Sequence, residues 1–252
     1  MSKAIVLLSG GMDSATSLAL AKKDCDEVIA ISFMYGSKHE AAECEAAALV
    51  ANYYHVLREV TRLPYCLFKG AGSVLLSEGE MPHATYSELQ ASEGPSPTVV
   101  PFRNPVMISM AVARAIVYEA DYVYVAMHSE DAHHFAYPDC TPECVGPLGA
   151  AIYVGSYHKV RLVVPFQWMS KADIVYSALR LKVPLGLTWS CYDPVIAPET
   201  QGGGYVACGL CPTCKERIQA FRVNWLIDPI AYNVPIKWPD NFNHYPSFEV
   251  PR

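Results

Sequence analysis

Near the N-terminus, Lys3 to Leu8 (KAIVLL) runs straight into Ser9-Gly10-Gly11-Met12-Asp13-Ser14, and an Ala/Leu-rich stretch follows through Lys23. The first segment is short, rich in branched side chains and without polar alternation, the pattern of a strand buried on both faces. Parallel strands need crossover connections, usually helices, so this opening points to an α/β layer fold. The turn between strand and helix is a ready anion site. Backbone N–H groups of a first helical turn have no partner within the helix, and glycines let the chain wrap closely around a phosphate. Ser9 and Ser14 add hydroxyl donors. Asp13 narrows the reading, because a carboxylate beside a triphosphate makes sense when it holds magnesium or its waters. Neither Gly-x-x-x-x-Gly-Lys-Ser/Thr nor Gly-x-Gly-x-x-Gly stands here, so this loop is of another nucleotide-binding type. The bland alternative is a plain turn in which Asp13 caps the helix.

The alternation continues. Strands are expected at Glu27 to Phe33, His55 to Val60, Tyr122 to His128 and Val160 to Val164. Helices are expected at Glu40 to Tyr53, from Asn104-Pro105 to about Glu119, at Leu148 to Tyr157, and at Lys171 to Arg180 with Ser170 as its cap. Together they describe a parallel α/β sheet. Periodicity fails over residues 64–100, where Glu93-Gly94-Pro95-Ser96-Pro97 is the clearest breaker cluster; a connection this long reads as a functional loop or lid. The chain divides into a nucleotide domain over 1–190, a cysteine-rich region over 191–222, and an aromatic, proline-rich arm over 223–252.

Hydrophobic residues make up 52% of the chain and charged residues 17%, a balance that favours a large core and an oligomer interface. No apolar stretch is long enough to cross a bilayer, and polar residues cut short the first one, so a cytoplasmic protein is expected. The net charge of -6 and the absence of a basic stripe argue against a stable nucleic-acid partner. Of nine cysteines, Cys208, Cys211 and Cys214 form two Cys-x-x-Cys steps sharing the middle residue, and Cys191 is the obvious fourth ligand. Four thiolates suit a closed, tetrahedral, structural zinc site; an iron–sulfur cluster and a metal-free redox pair are the alternatives. Cys140, Cys144, His133 and His134 lack such spacing, and we read Cys144 as packed and Cys140 as lying near a substrate.

Ser-Gly-Gly-x-Asp-Ser resembles the signature of the ATP pyrophosphatase (PP-loop) superfamily, in which a substrate oxygen attacks the α-phosphorus and pyrophosphate departs. Further segments are similar to one member family, the 7-cyano-7-deazaguanine (preQ0) synthases: Phe33 to His39 (FMYGSKH), Val100 to Asn104 (VPFRN), His128 to Cys140, Gly186 to Tyr192 (GLTWSCY) and Cys208 to Phe221. The resemblance covers about residues 3–222. It implies a Rossmann-like parallel sheet with helices on both faces, of the adenine-nucleotide α-hydrolase-like kind, a homodimer, and ATP-driven conversion of 7-carboxy-7-deazaguanine and ammonia to the nitrile. It also suggests roles. Ser9, Gly10, Gly11, Asp13 and Ser14 would hold the phosphates with Mg2+, and Phe33 and Tyr35 would border the adenine. Arg103 would clamp phosphate or carboxylate, with Lys159 and Lys171 as candidates for the α-phosphate. Asp139 or Glu130 would accept from the deazaguanine ring, with Cys140, Trp189 and Tyr192 near it; Trp189 reads equally well as a core aromatic.

The chain departs from the family at Ser37, usually Gln, at Cys144, usually a bulky apolar residue, and in the Gly/Pro/Ala-rich segment Val145 to Ala151. These departures leave room for an enzyme that stops at the amide or passes the activated acyl group to another acceptor, such as a protein amine. Two further readings compete. A tRNA-thiolating enzyme requires a basic RNA surface, and a zinc-knuckle binding protein gives Asp13 no purpose.

Overall fold

The computed structural model describes residues 1–76, 79–90, 96–132, 135–197 and 203–249. Five parallel strands form the main sheet: β1 (Lys3–Leu7), β2 (Glu27–Met34), β3 (Leu57–Arg62), β4 (Tyr122–Tyr124) and β5 (Arg161–Val163), in the order β3-β2-β1-β4-β5. Successive side chains of β1 point to opposite faces. Ala4 and Val6 enter a core layer with α1 (Met12–Asp24), α2 (Glu40–Tyr53), α7 (Lys171–Arg180) and α8 (Pro212–Val223). Ile5 enters the other layer, with α4 (Arg103–Val117) and α6 (Pro142–Gly155). The sheet is therefore covered on both faces, as its apolar strands require.

The boundaries differ from the sequence reading in instructive ways. β3 begins and ends two residues later than expected and is an edge strand that leaves Leu57 exposed. The expected strand Tyr122 to His128 stops at Tyr124, and Val125 to His128 instead border a cavity, ahead of the short helix α5 (Ser129–Ala132). Helix α6 starts at Pro142, ahead of the expected Leu148, because Pro142 fits a first helical position. The expected cap of α7 is present as a reciprocal box: Ser170 Oγ accepts from the Asp173 N–H and the Asp173 carboxylate accepts from the Ser170 N–H.

Within 64–100, the described residues include a 3-10 turn at Tyr65–Phe68 and the short helix α3 (Tyr86–Gln90). Phe68, Leu75, Met81 and Val100 pack in one cluster with Cys191, Cys208, Cys211 and Cys214. Small pairs β6 (Val195–Ile196) with β7 (Tyr205–Val206), and β8 (Leu226–Ile227) with β9 (Asn243–His244), flank the cysteines and the arm. The arm lies on the body: Trp238 and Phe248 pack on the α1/α2 layer, and the Tyr245 hydroxyl donates to the Val183 carbonyl at 2.9 Å.

Candidate active site

The chain runs β1, β2, β3 toward one edge and then returns to place β4 beside β1. Ligands of open parallel sheets bind outside the carboxyl ends of the strands at such a reversal. A cavity of about 210 Å3 lies there. Ser9, Asp13 and Ser14, from the turn between β1 and α1 and the start of that helix, line it. The Gly11 N–H donates to Ser9 Oγ at 3.2 Å, the Ser14 hydroxyl donates to the Gly11 carbonyl at 3.0 Å, and the two serine hydroxyls are 3.1 Å apart. Gly10 has φ +91°, and a Cβ there would come within 2.5 Å of the Glu43 carbonyl and 2.7 Å of the Ala47 nitrogen on α2. Only glycine fits, for reasons of both conformation and space.

Asp13, in the first turn of α1, accepts from Lys171 Nζ at 2.6 Å. The same ammonium is 3.2 Å from Glu216 on α8 and 3.1 Å from His128 Nε2 beyond β4. Three chain segments thus converge on one cation. Burial opposes the charge on Lys171, but Asp13 and Glu216 outweigh it and hold the ammonium protonated. Burial likewise opposes a charge on His128, yet Asp131 overcomes it and raises the ring to about 9. The ligand atoms of His128, Glu130 and Glu216 are mutually within 4.8 Å, a spacing that would admit a metal, but Glu216 already pairs with the Lys171 ammonium. The other Asp13 oxygen, Oδ1, is buried and meets no donor among the described residues. An acceptor so placed beside a phosphate loop suits a magnesium-bound water.

At the other end of the cavity, Arg103 begins α4 just after Phe102, whose φ of +55° turns the chain sharply into the helix. Its Nη1 donates to the Tyr35 hydroxyl at 2.8 Å. Burial pushes the Glu43 carboxyl up to about 7, and it holds the His39 ring down to about 3 with help from Arg103.

The structure brings together Ser9, Asp13, Ser14, Phe33, Tyr35, Arg103, Cys140, Lys171 and Tyr192, all of which line this cavity. Lys159 is not among them. It is exposed and precedes β5, so it sits at the amino end of a parallel strand, the edge of the sheet opposite the phosphate loop. Asp139 is turned to another task, accepting from the Asn104 N–H at 3.0 Å at the start of α4. Glu130 accepts from the Lys171 N–H at 2.5 Å and stands behind the cation. Trp189 lines a separate hollow with Leu49 and Tyr205; its backbone N–H donates to the Gly10 carbonyl at 2.8 Å, bracing the loop from outside. His133 and His134 lie outside the described residues. The sequence reading assigned no role to Glu43, His128, Asp131 or Glu216. Of these, Glu216 carried the best signal, standing two residues after a metal-type cysteine on a helix start.

The four cysteines form a buried cluster whose sulfurs all lie within 4.8 Å of one another, with 3.9 Å between Cys208 and Cys214 and 4.0 Å between Cys191 and Cys211. Tetrahedral zinc with bonds of about 2.3 Å places its sulfurs at about this separation. Backbone N–H groups of Asp193 and Cys208 point at Cys191 Sγ, and those of Leu210 and Cys211 at Cys208 Sγ, at 3.2–3.3 Å. Such donors stabilise thiolates, so donor set and surroundings both suit zinc.

A family model described as queuosine biosynthesis protein QueC matches residues 3–225. The chain belongs to that family. Among similar proteins, the 7-cyano-7-deazaguanine synthase of Pseudoalteromonas atlantica is 37% identical over 91% of this chain and 98% of its own length. That of Caldicellulosiruptor bescii is 36% identical over 94% and 100%, and that of Archaeoglobus fulgidus 38% identical over 90% and 89%. In this member of the family, the phosphate loop, the Lys171 cluster and the four-thiolate site all lie within the matched span.

Proposed function

We propose that this chain uses ATP to convert 7-carboxy-7-deazaguanine and ammonia into 7-cyano-7-deazaguanine. The observation that carries the reading is the juxtaposition, in a member of this family, of a glycine-dependent phosphate loop with a buried ammonium at the strand-order reversal. A carboxylate does not yield to ammonia until one of its oxygens becomes a good leaving group, and bound ATP supplies that group as AMP.

The carboxylate oxygen bonds to the α-phosphorus as the bond to the β-phosphate oxygen breaks. Ser9, Ser14 and the loop N–H groups hold the departing pyrophosphate. Lys171 offsets charge that grows on the phosphorane oxygens, where preorganised cations act most strongly. Ammonia then attacks the acyl carbon, AMP leaves with the oxygen, and an amide remains after loss of a proton. A second ATP activates the amide oxygen in the same way; departure of AMP and loss of the two N–H protons give the nitrile. Asp13 would hold Mg2+ through its free oxygen, and Cys191, Cys208, Cys211 and Cys214 would hold zinc that fixes α8. We further propose a cytoplasmic homodimer built from the 1–190, 191–222 and 223–252 regions.

Incubation with the carboxylate, ATP, magnesium and ammonium should yield AMP, pyrophosphate and a nitrile detectable by mass spectrometry. Accumulation of amide alone, or product attached to a protein, would limit the chain to activation followed by another transfer. ADP with free phosphate would refute the adenylation itself.

A further inference from the structure

Among the described residues, four carboxylates line the cavity: Asp13, Glu43, Asp131 and Glu216. Three are engaged at the cationic end. Asp13 and Glu216 contact the Lys171 ammonium, and Asp131 is 3.4 Å from His128 Nε2. Glu43 stands apart, on the first turn of α2. Among the described residues its carboxylate accepts no hydrogen bond, and its one ion-pair contact is His39 Nε2 at 3.6 Å. That ring is neutral near pH 7, because burial and Arg103 depress it to about 3.

Arg103 lines the same end and feels Glu43 electrostatically, yet the two do not form an ion pair. One of its nitrogens is taken by the Tyr35 hydroxyl, and no carboxylate pairs with the rest of the guanidinium among the described residues. An acid and a base that line one cavity without meeting are placed to contact a third group. The rings of Tyr35 and Tyr192 border that space.

A 7-deazaguanine presents, along its pyrimidine edge, a 6-oxo acceptor beside two donors, N1–H and the 2-amino group. A carboxylate can accept both donors in parallel, and a guanidinium fork suits the oxo group. We propose that Glu43 and Arg103 read this edge, Glu43 accepting from N1–H and the 2-amino group while Arg103 donates to the 6-oxo oxygen. The assignment rests on the proposed reaction and displaces Asp139 and Glu130, whose carboxylates are committed to the starts of α4 and α7. It makes Glu43 a specificity-determining residue.

The test compares pyrophosphate release by wild type and Glu43→Gln on 7-carboxy-7-deazaguanine and on the analogue lacking the 2-amino group. Wild type should prefer the amino-bearing substrate by about 10–100-fold in kcat/KM, the range of a good bidentate contact. Glu43→Gln should reduce that preference to within about threefold, chiefly through KM for the deazaguanine, with KM for ATP changed less than about twofold. A variant that discriminates as wild type does, or a wild type that uses both substrates equally, overturns the assignment. A wild type inactive on both, with no AMP formed, refutes the proposed reaction and this assignment with it. An independent measurement needs no variant: the 1-methyl analogue, which blocks N1–H, should bind wild type at least about 10-fold more weakly than the natural carboxylate. Equal binding would also overturn the proposal.

Discussion

Two neighbouring residues of α8 take part in two buried ion clusters that share a chemistry and differ in closure. Arg217 is fully buried and donates to both oxygens of Asp228, at 2.7 and 3.0 Å, to the Leu185 carbonyl at 3.0 Å and to Thr188 Oγ1 at 2.8 Å. Ile230 N–H and the Tyr232 hydroxyl complete the Asp228 carboxylate. Glu216 faces the other way, into a cluster of Lys171, Asp13 and His128 that borders a cavity and leaves Asp13 Oδ1 unpaired. A saturated network has no valence left for a ligand and acts as a brace. The incomplete one keeps an acceptor and a cation available, at a cost in stability that a binding site tolerates.

The contrast can be broken most severely at its common root. Cys211→Ser removes one of the thiolates that anchor the start of α8, and structural zinc sites contribute about 10–16 kcal/mol of binding energy. We expect metal analysis to give about one zinc per chain in wild type and far less in the variant, with Tm lower by on the order of 10 °C. Arg217→Met should strand a buried carboxylate and destabilise by about 3–5 kcal/mol in denaturant titration, with Arg217→Met/Asp228→Leu recovering most of the loss. Lys171→Met should do the reverse. We expect AMP formation to fall about 100- to 1000-fold, about 3–4 kcal/mol in the barrier, while Tm shifts by less than about 4 °C because water reaches the cavity.

The smallest effect is a pH slope. His128 is raised to about 9 in the fold, above its usual 6.5, so it contributes stability that is complete below pH 6.5 and is lost as pH rises through 9. The urea midpoint of wild type should fall between those pH values, and His128→Gln should flatten the decline. The Arg217–Asp228 pair has no histidine in it and should contribute nothing to that slope.

Local features are legible in the sequence. The turn between β1 and α1 is defined by its own residues, and three of the four clustered cysteines share one short segment. The Ser170 box announces the start of α7, and hence where Lys171 lies. Residues assembled by topology were harder to place. Glu216, His128 and Asp13 come from three separate stretches of the chain, and their convergence depends on strand order, which periodicity does not encode. Lys159 offers positive charge in the sequence, but strand direction decides its place: it precedes β5 and so lies at the amino end of the parallel strands, away from the cavity. Trp189, which the sequence allows equally as a substrate wall or a core aromatic, donates its indole N–H to the Cys191 carbonyl at 2.8 Å and lines the hollow behind the loop.

Glu216 and Arg217 are adjacent on a helix whose successive side chains diverge by about 100°. The rotational setting of that helix is fixed by Cys211 and Cys214 at its start. Deleting Lys215 would shift each following residue back by one place, aiming the Arg217 guanidinium at the Lys171 ammonium and leaving Ile218 to face the Asp228 carboxylate. The spacing from Cys214 to Arg217 is thus a structural constant of this helix, set by the cysteine cluster at one end and by two opposed charges at the other.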